Sequence, residues 1–423
     1  MILNFLNSSF LNLSMDDEKK EKRTIFSMYI NQLIGNFGTG LASPFIPYYA
    51  AALSFTSSQM GILQASSNLF PNIFQYIWGK VSDLIKKRLL FIIVGGFISS
   101  FLYILFIFVK SPYIVIGIII AQSIFSAMVV PAWNSMIGHV SKAEKRASFI
   151  GNLSFYSNLS MMMAGLFFIA YAYYYHYNSI TVYFIPFYFA GIIGVFASLI
   201  MLYAYERNDD YKNPEGLTLK EMLSSDKYFS YFLFAQSFYN FFMAISWPLF
   251  YITTVDVLKA TFLEIGIINL IGLMFTVPFL RLFGKMIDRF GTKNFMTLSR
   301  FIFIPVPLAY GFAHSLNIIY IITAVTGFST AISNIAFTAY ILDSAPPEKR
   351  GIYIGLYNSF LGFITFFGSI IGGYAAQFFS TIYGLYYGLL TMYVVSFAGR
   401  MSGAFLFLKV KERRKYPGNI VLS

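Results

Sequence analysis

Gln32-Leu-Ile-Gly-Asn36, with Pro44 eight residues further on, recurs 204 residues later as Gln236-Ser-Phe-Tyr-Asn240 with Pro248 eight further on. The recurrence extends outward from that block. At an offset of 205, Gly61 falls on Gly266, and Gly79-Lys80-x-x-Asp83 falls on Gly284-Lys285-x-x-Asp288. At 204 again, Glu144-Lys145-Arg146 falls on Glu348-Lys349-Arg350 and Gly151 on Gly355. Compositional bias in a Phe- and Ile-rich chain does not align polar residues at one spacing. The chain therefore reads as two related halves in tandem, a parallel repeat.

The solvent of those halves follows from composition. Of 423 residues, 57% are hydrophobic and only 11% charged, with a mean hydropathy of +0.65. Soluble domains carry roughly 25% charged residues, so most of the chain belongs in lipid. A span needs roughly 20 mainly apolar residues. The apolar runs predict twelve: 26–51, 57–79, 89–109, 112–138, 147–174, 180–205, 228–254, 262–283, 294–313, 315–341, 351–380 and 385–408. The expected fold is an all-α membrane protein, with twelve transmembrane helices in two pseudo-symmetric six-helix bundles. Its parts are an N-terminal tail 1–23, a bundle 24–205, a central loop 206–227, a second bundle 228–409 and a C-terminal tail 410–423. Within the central loop, Thr218 and Glu221 have capping-box spacing and predict a short surface helix.

Charge sets the topology. All but four of the 30 Lys and Arg residues fall on the side of the twelve runs that holds both termini; the exceptions are Lys110, Lys259, Arg300 and Arg400. Cytoplasmic loops retain Lys and Arg, so both termini are expected in the cytoplasm, the protein being a multi-pass resident of the cell membrane. The basic balance is a topology signal, and no nucleic-acid partner is expected. With no cysteine, disulfides and thiolate metal sites are excluded. No cofactor or metal is called for. Residues 1–14 lack the marks of a signal peptide, and Met15, which opens a charged run, is the expected start.

Gly79-Lys-Val-Ser-Asp83-Leu-Ile-Lys-Lys-Arg88 resembles the signature of the major facilitator superfamily between spans 2 and 3. Gly284-Lys-Met-Ile-Asp288-Arg-Phe-Gly291-Thr-Lys293 resembles its counterpart between spans 8 and 9. The later small residue and the basic spacing of the first copy depart from the family pattern. A proline-glycine run typical of drug antiporters in span 5 is missing, as is an arginine often found in span 4. The resemblance covers residues 24–415 and implies a permease working by alternating access as a single chain. It also implies gating residues: Gly79, Asp83, Arg88 and Arg146 in one half, Gly284, Asp288 and Arg350 in the other. Asp83 would meet the start of span 11 near Gly351–Gly355, and Asp288 the start of span 5 near Gly151. A carboxylate beside a helix N-terminus gains roughly 0.3–2 kcal/mol, a latch that breaks each time the halves rock apart.

By the same resemblance spans 1, 4, 7 and 10 line a central cavity. Gln32 and Asn36 share one helical face, as do Gln236 and Asn240. Burying amides in lipid costs several kcal/mol unless they are bonded, so they either face a wet cavity or hold helices together. Gln122 and Asn134 in span 4, Asn334 in span 10 and Trp247 complete the candidate substrate set. Gln64, Asn68, Asn72 and Gln75 form a further stripe on span 2. Arg300 and Arg400 lie inside spans 9 and 12, where snorkelling or structural pairing competes with binding an anionic solute.

None of the 18 Asp and Glu falls at mid-span, which argues against a carboxylate proton relay. No metalloprotease or nucleophile-elbow motif is present, and His139, His176 and His314 form no dyad, so an enzyme is not expected. The favoured reading is a transporter of a small organic solute, between efflux of amphipathic compounds and uptake of a polar metabolite. The alternative is a non-transporting membrane sensor or scaffold on the same fold.

Overall fold

In a computed structural model, residues 17–85, 87–140, 146–174, 180–206, 226–345 and 350–413 are described. The Met15 start and the expected surface helix at Thr218–Glu221 lie outside them, as does His176.

Span 1 is Asp17–Ala42, continued by a 3₁₀ turn at Ser43–Phe45 and a short helix Ile46–Ala52. Spans 2 to 5 are Ser57–Ile85, Arg88–Leu105, Pro112–Val140 and Arg146–Tyr174. Span 6 is Phe184–Ile200, with 3₁₀ turns at both ends. In the second half, span 7 is Lys227–Ile252 and span 8 Phe262–Phe290. Span 9 is split into Thr292–Ile302 and Val306–Gly311. Spans 10 to 12 are Leu316–Ser344, Arg350–Tyr383 and Leu385–Phe407. Eight of these helices are long and apolar enough to cross a membrane by length and composition. Spans 1, 2 and 7 fall short because they carry the amides; span 9 falls short because it is interrupted.

Prolines explain the interruptions. Pro305 and Pro307 lack the N–H that would bond the carbonyls of Phe301 and Phe303, and span 9 breaks there. Pro248 similarly frees the Ala244 carbonyl, which accepts from Ser369 Oγ of span 11 at 3.4 Å. Span 1 answers the same problem at Pro44 and Pro47 by tightening to 3₁₀. The predicted ends of spans 2 and 8 are too early: both helices run on to Ile85 and Phe290. The two signature segments are therefore largely helical rather than loops, with Gly291, at φ 92, stopping span 8.

The main packing contacts of the first half recur in the second. Span 1 packs on 5 and 6, as 7 packs on 11 and 12; span 2 packs on 4, as 8 on 10; span 3 packs on 4 and 6, as 9 on 10 and 12. Across the halves, span 2 meets 11 as span 8 meets 5. The helix ends repeat as well. After span 6, Glu206 accepts from the backbone N–H groups of Arg88 and Leu89 at 2.6 and 3.0 Å, capping span 3. After span 12, Glu412 accepts from Thr292 Oγ1 and the Lys293 N–H at 2.6 and 2.9 Å, capping span 9. Asp226 caps span 7 and pairs with Arg413.

Candidate functional site

The halves close on each other at the end of the bundle remote from the termini. Gly61 and Gly373 bring spans 2 and 11 so close that a Cβ on Gly61 would lie 2.9 Å from the Gly373 Cα, and the converse 2.7 Å. Phe45 of span 1 stacks on Phe168 of span 5 at 3.6 Å between centroids, and Phe168 on Phe262 of span 8 at 4.1 Å. Tyr48 meets Tyr251 of span 7 edge-on at 5.0 Å. Toward the termini fewer contacts between the halves fall among the described residues, Arg281 of span 8 over the Phe155 ring of span 5 at 5.0 Å being one. The span 2–span 11 seam continues as far as Ser359 Oγ, which donates to the Asn72 carbonyl at 3.3 Å. Beyond it, a Cβ on Gly355 or Gly284 would meet nothing within 4 Å.

The amide stripe of span 2 belongs to this seam. Asn72 donates to the Asn68 carbonyl at 2.7 Å, and both approach Gly362 of span 11. Of the gating set, Gly79 lies beside Pro131 of span 4. Arg88 is buried at the start of span 3, and Asp288 is exposed. The side chains of Asp83, Arg146 and Arg350, and the Gly151 partner, lie outside the described residues.

The matched amides take different partners in the two halves. On span 1 both are half-buried, and Asn36 Nδ2 donates to Gln32 Oε1 and to the Gln32 carbonyl, each at 2.8 Å. On span 7, Gln236 and Asn240 are buried, at 3% and 8% exposure. Gln236 Oε1 accepts from Arg300 Nη2 at 3.1 Å, while its Nε2 donates to Tyr357 Oη at 2.9 Å. Asn240 Nδ2 donates to the Gln236 carbonyl at 2.8 Å. Gln236, Asn240, Trp247 and Tyr251 sit at i, i+4, i+11 and i+15, one stripe of span 7. Its far end, Tyr251, touches Tyr48 of the other half, while its Gln236 end is buried against spans 9 and 11 of its own half. Gln122 is turned away from this group, donating to the Ser99 carbonyl of span 3 at 3.2 Å. Asn134 and Asn334 are exposed.

Neither intramembrane arginine snorkels. Arg300 and Arg400 are 5% and 1% exposed, and among the described residues no carboxylate reaches either guanidinium. Arg400 is held by neutral acceptors alone: Ser396 Oγ at 3.1 Å, the Phe303 carbonyl at 3.0 Å, Ser246 Oγ at 2.6 Å and the Met243 carbonyl at 3.3 Å. The Phe303 carbonyl is free because Pro307 cannot bond it. Arg300 has a sparser shell. Gln236 is its hydrogen-bond acceptor, its Nε has none, and the rings of Phe337, Tyr239 and Phe407 lie 4.2, 4.8 and 5.7 Å from Cζ. Rings beside a guanidinium replace part of its lost hydration through their negative faces. Sequence reasoning missed Tyr357, Tyr239, Ser246 and Ser396. The signal within reach was Pro307, which exposes a carbonyl at membrane depth that a donor must satisfy.

A profile of the Major Facilitator Superfamily matches residues 28–277 and again 228–420. The chain is 23% identical over 402 residues to an uncharacterised MFS-type transporter of Methanocaldococcus jannaschii, covering 88% of this chain and 98% of that protein. It is also 23% identical over 363 residues to the quinolone resistance protein NorA of Staphylococcus aureus, covering 83% and 89%. The crystal structure of the nucleoside transporter NupG superposes with a TM-score of 0.67 at 13% identity, over 92% of this chain and 100% of that one. Twelve helices in two repeated bundles, a seam of glycines between them and matches running through both halves lead to one assignment: the chain is an integral membrane protein of the major facilitator superfamily.

Proposed function

We propose that the chain carries a small organic solute across the cell membrane by alternating access, the solute lying between the halves. The observation that carries this reading is the uneven seam: closed by Gly61, Gly373, Phe45, Phe168 and Phe262 at one end, with fewer contacts among the described residues at the other. With both termini cytoplasmic, as the basic residues argue, the closed end is extracellular and the pathway faces the cytoplasm. The solute then meets Gln32 and Asn36 from one half and the Trp247 and Tyr251 end of the span 7 stripe from the other, with the exposed amides Asn134 and Asn334 contributed by spans 4 and 10. The latch assigned to Asp83 and Asp288 engages in the opposite state, when the cytoplasmic ends close.

A similar protein confers quinolone resistance and a similar fold transports nucleosides, so both solute types head the test panel. Purified protein in liposomes is expected to move at least one solute of a quinolone, nucleoside and organic-acid panel. The absence of acids at mid-span predicts flux that persists without a pH gradient. No flux of any solute would overturn the proposal in favour of a sensor or scaffold.

A further inference from the structure

We infer that the first half alone reads the polar part of the solute, through an uncharged face of amides and hydroxyls on span 1. The cargo that fits this face is neutral, rich in hydroxyl or amide groups, and flat at one end. This rests on the transporter reading and sharpens it to a substrate class.

Gln32, Asn36, Thr39 and Ser43 lie at i, i+4, i+7 and i+11, one stripe of span 1. Both flanks of the stripe are packed within the first half. A Cβ on Gly38 would lie 3.0 Å from the Ala190 carbonyl oxygen of span 6, and one on Gly40 2.9 Å from the Ala164 Cβ of span 5. The stripe lies between those flanks and is not sealed: Gln32, Asn36 and Thr39 are half-buried and Ser43 is exposed. Phe45, two residues on, is buried in the closed end. Ser43 therefore opens onto the space beneath the closure, since a stripe of amides turned to lipid is costly. At the same level the side chains of Ser43, Gln122 and Thr39 reach the hydroxyl of Tyr103. Gln122 is held in place there by donating to the Ser99 carbonyl at 3.2 Å.

What the stripe offers is set by what its own bonds leave over. Asn36 Nδ2 donates to the Gln32 carbonyl and Oε1. Gln32 keeps the donor Nε2 and Asn36 the acceptor Oδ1, and among the described residues neither has a partner. Thr39 donates to the Gly35 carbonyl at 3.0 Å and keeps its lone pairs; the Ser43 and Tyr103 hydroxyls can give and accept. No Lys, Arg, Asp or Glu occurs within 24–52, 89–109 or 112–138. A solute hydroxyl or amide satisfies donors and acceptors alike. A carboxylate would set an acceptor against Asn36 Oδ1 with no cation beside it, and an ammonium would set a donor against Gln32 Nε2. The second half cannot share the task. Gln236 is bonded at both ends, to Arg300 and Tyr357 of its own half, and Thr39 and Ser43 fall 204 residues on at Met243 and Trp247. Trp247 is half-buried, one turn before the Tyr251 that meets Tyr48 of the first half. On that face it supplies a flat apolar wall.

The test uses the full chain in detergent and three probes of similar outline. These are phenyl β-D-glucoside, phenyl β-D-glucuronide, which adds a carboxylate, and phenoxytetrahydropyran, which lacks the hydroxyls. Binding is followed by thermal unfolding and by tryptophan quenching. The glucoside is expected to bind about tenfold or more tightly than either of the others. Asn36→Leu and Ser43→Ala should each bring it to within about threefold of the hydroxyl-free ether. Tyr357→Phe, which alters the partner of the span 7 amide, should leave the preference unchanged. Ser43→Ala removes one exposed oxygen, so a folding failure of the leucine variant leaves the question answerable. Equal responses to the three probes, including none, would overturn the proposal, as would a glucuronide that binds as tightly as the glucoside. A preference that Ser43→Ala leaves intact, or that Tyr357→Phe abolishes, would overturn it too. In liposomes, flux of a charged solute untouched by Asn36→Leu would sink this assignment while leaving the transporter reading intact; absence of all flux would sink that reading instead.

Discussion

Spans 1 and 7 carry the same Gln-x-x-x-Asn block and do different things with it. On span 1 the two amides satisfy each other within one helix and stay half-exposed. On span 7 the glutamine is drawn into the body of the second half, because Arg300 needs its oxygen and Tyr357 takes its N–H. A repeated motif thus preserves position on the fold without preserving partners. What differs is two residues on other spans: Arg300 where the other half has Gly96, and Tyr357 where it has Leu153.

The sharpest way to break this contrast is to remove the cations. Arg400→Ala strands the carbonyl freed by Pro307 and opens a cavity in the second half. About 3 kcal/mol or more of destabilisation is expected, against less than about 1 kcal/mol for Asn36→Ala; unfolding of the detergent-purified variants checks both. A smaller effect is expected at the glutamines. Gln236→Leu leaves Arg300 without its acceptor and should cost about 2–3 kcal/mol, whereas Gln32→Leu, half-exposed and without a charge to satisfy, should cost about 1 kcal/mol or less. Equal costs at Gln32 and Gln236 would mean that the partners do not matter.

The glycine seam comes next. A Cβ at Gly61 or Gly373 collides with backbone of the opposite half, and such overpacking costs typically 1–3 kcal/mol. Gly61→Ala and Gly373→Ala should each hold that end open, seen as greater access of a solvent probe to Tyr251 and Phe45. The smallest effects belong where the halves agree. Glu206→Gln and Glu412→Gln each weaken one helix cap and should cost about 1 kcal/mol, the same in both halves within error.

The repeat and the twelve spans were legible because hydrophobic runs and aligned polar residues are one-dimensional signals. The family assignment followed from the glycine–aspartate segments. Span ends were less so: Gly79 to Asp83 looks like a loop by charge, yet the helix carries on to Ile85, since a charged helix turn is stable once outside the hydrocarbon. The site was legible only in part. Gln32, Asn36, Gln236 and Asn240 stood out by recurrence, while Tyr357 had no counterpart to flag it among 32 tyrosines. Arg300 and Arg400 were visible as charges, but their depth depends on which way a long side chain turns. That was set by free carbonyls and rings on other spans, which no spacing along one span reveals. Gln122 looked like its neighbours in polarity and proved to tie span 4 to span 3.

Alternating access is best tested by distance. The chain has no cysteine, so pairs introduced by substitution can be spin-labelled without background. Thr56→Cys with Thr381→Cys reports the end remote from the termini, where spans 2 and 11 meet, and Lys87→Cys with Asn294→Cys the end that carries them, at the starts of the mirrored spans 3 and 9. Pulsed electron–electron resonance in lipid nanodiscs should find two populations, in which the first distance lengthens as the second shortens, with Gly61→Ala favouring the first change. A single unchanging distance for each pair, with solute and without, would contradict the account.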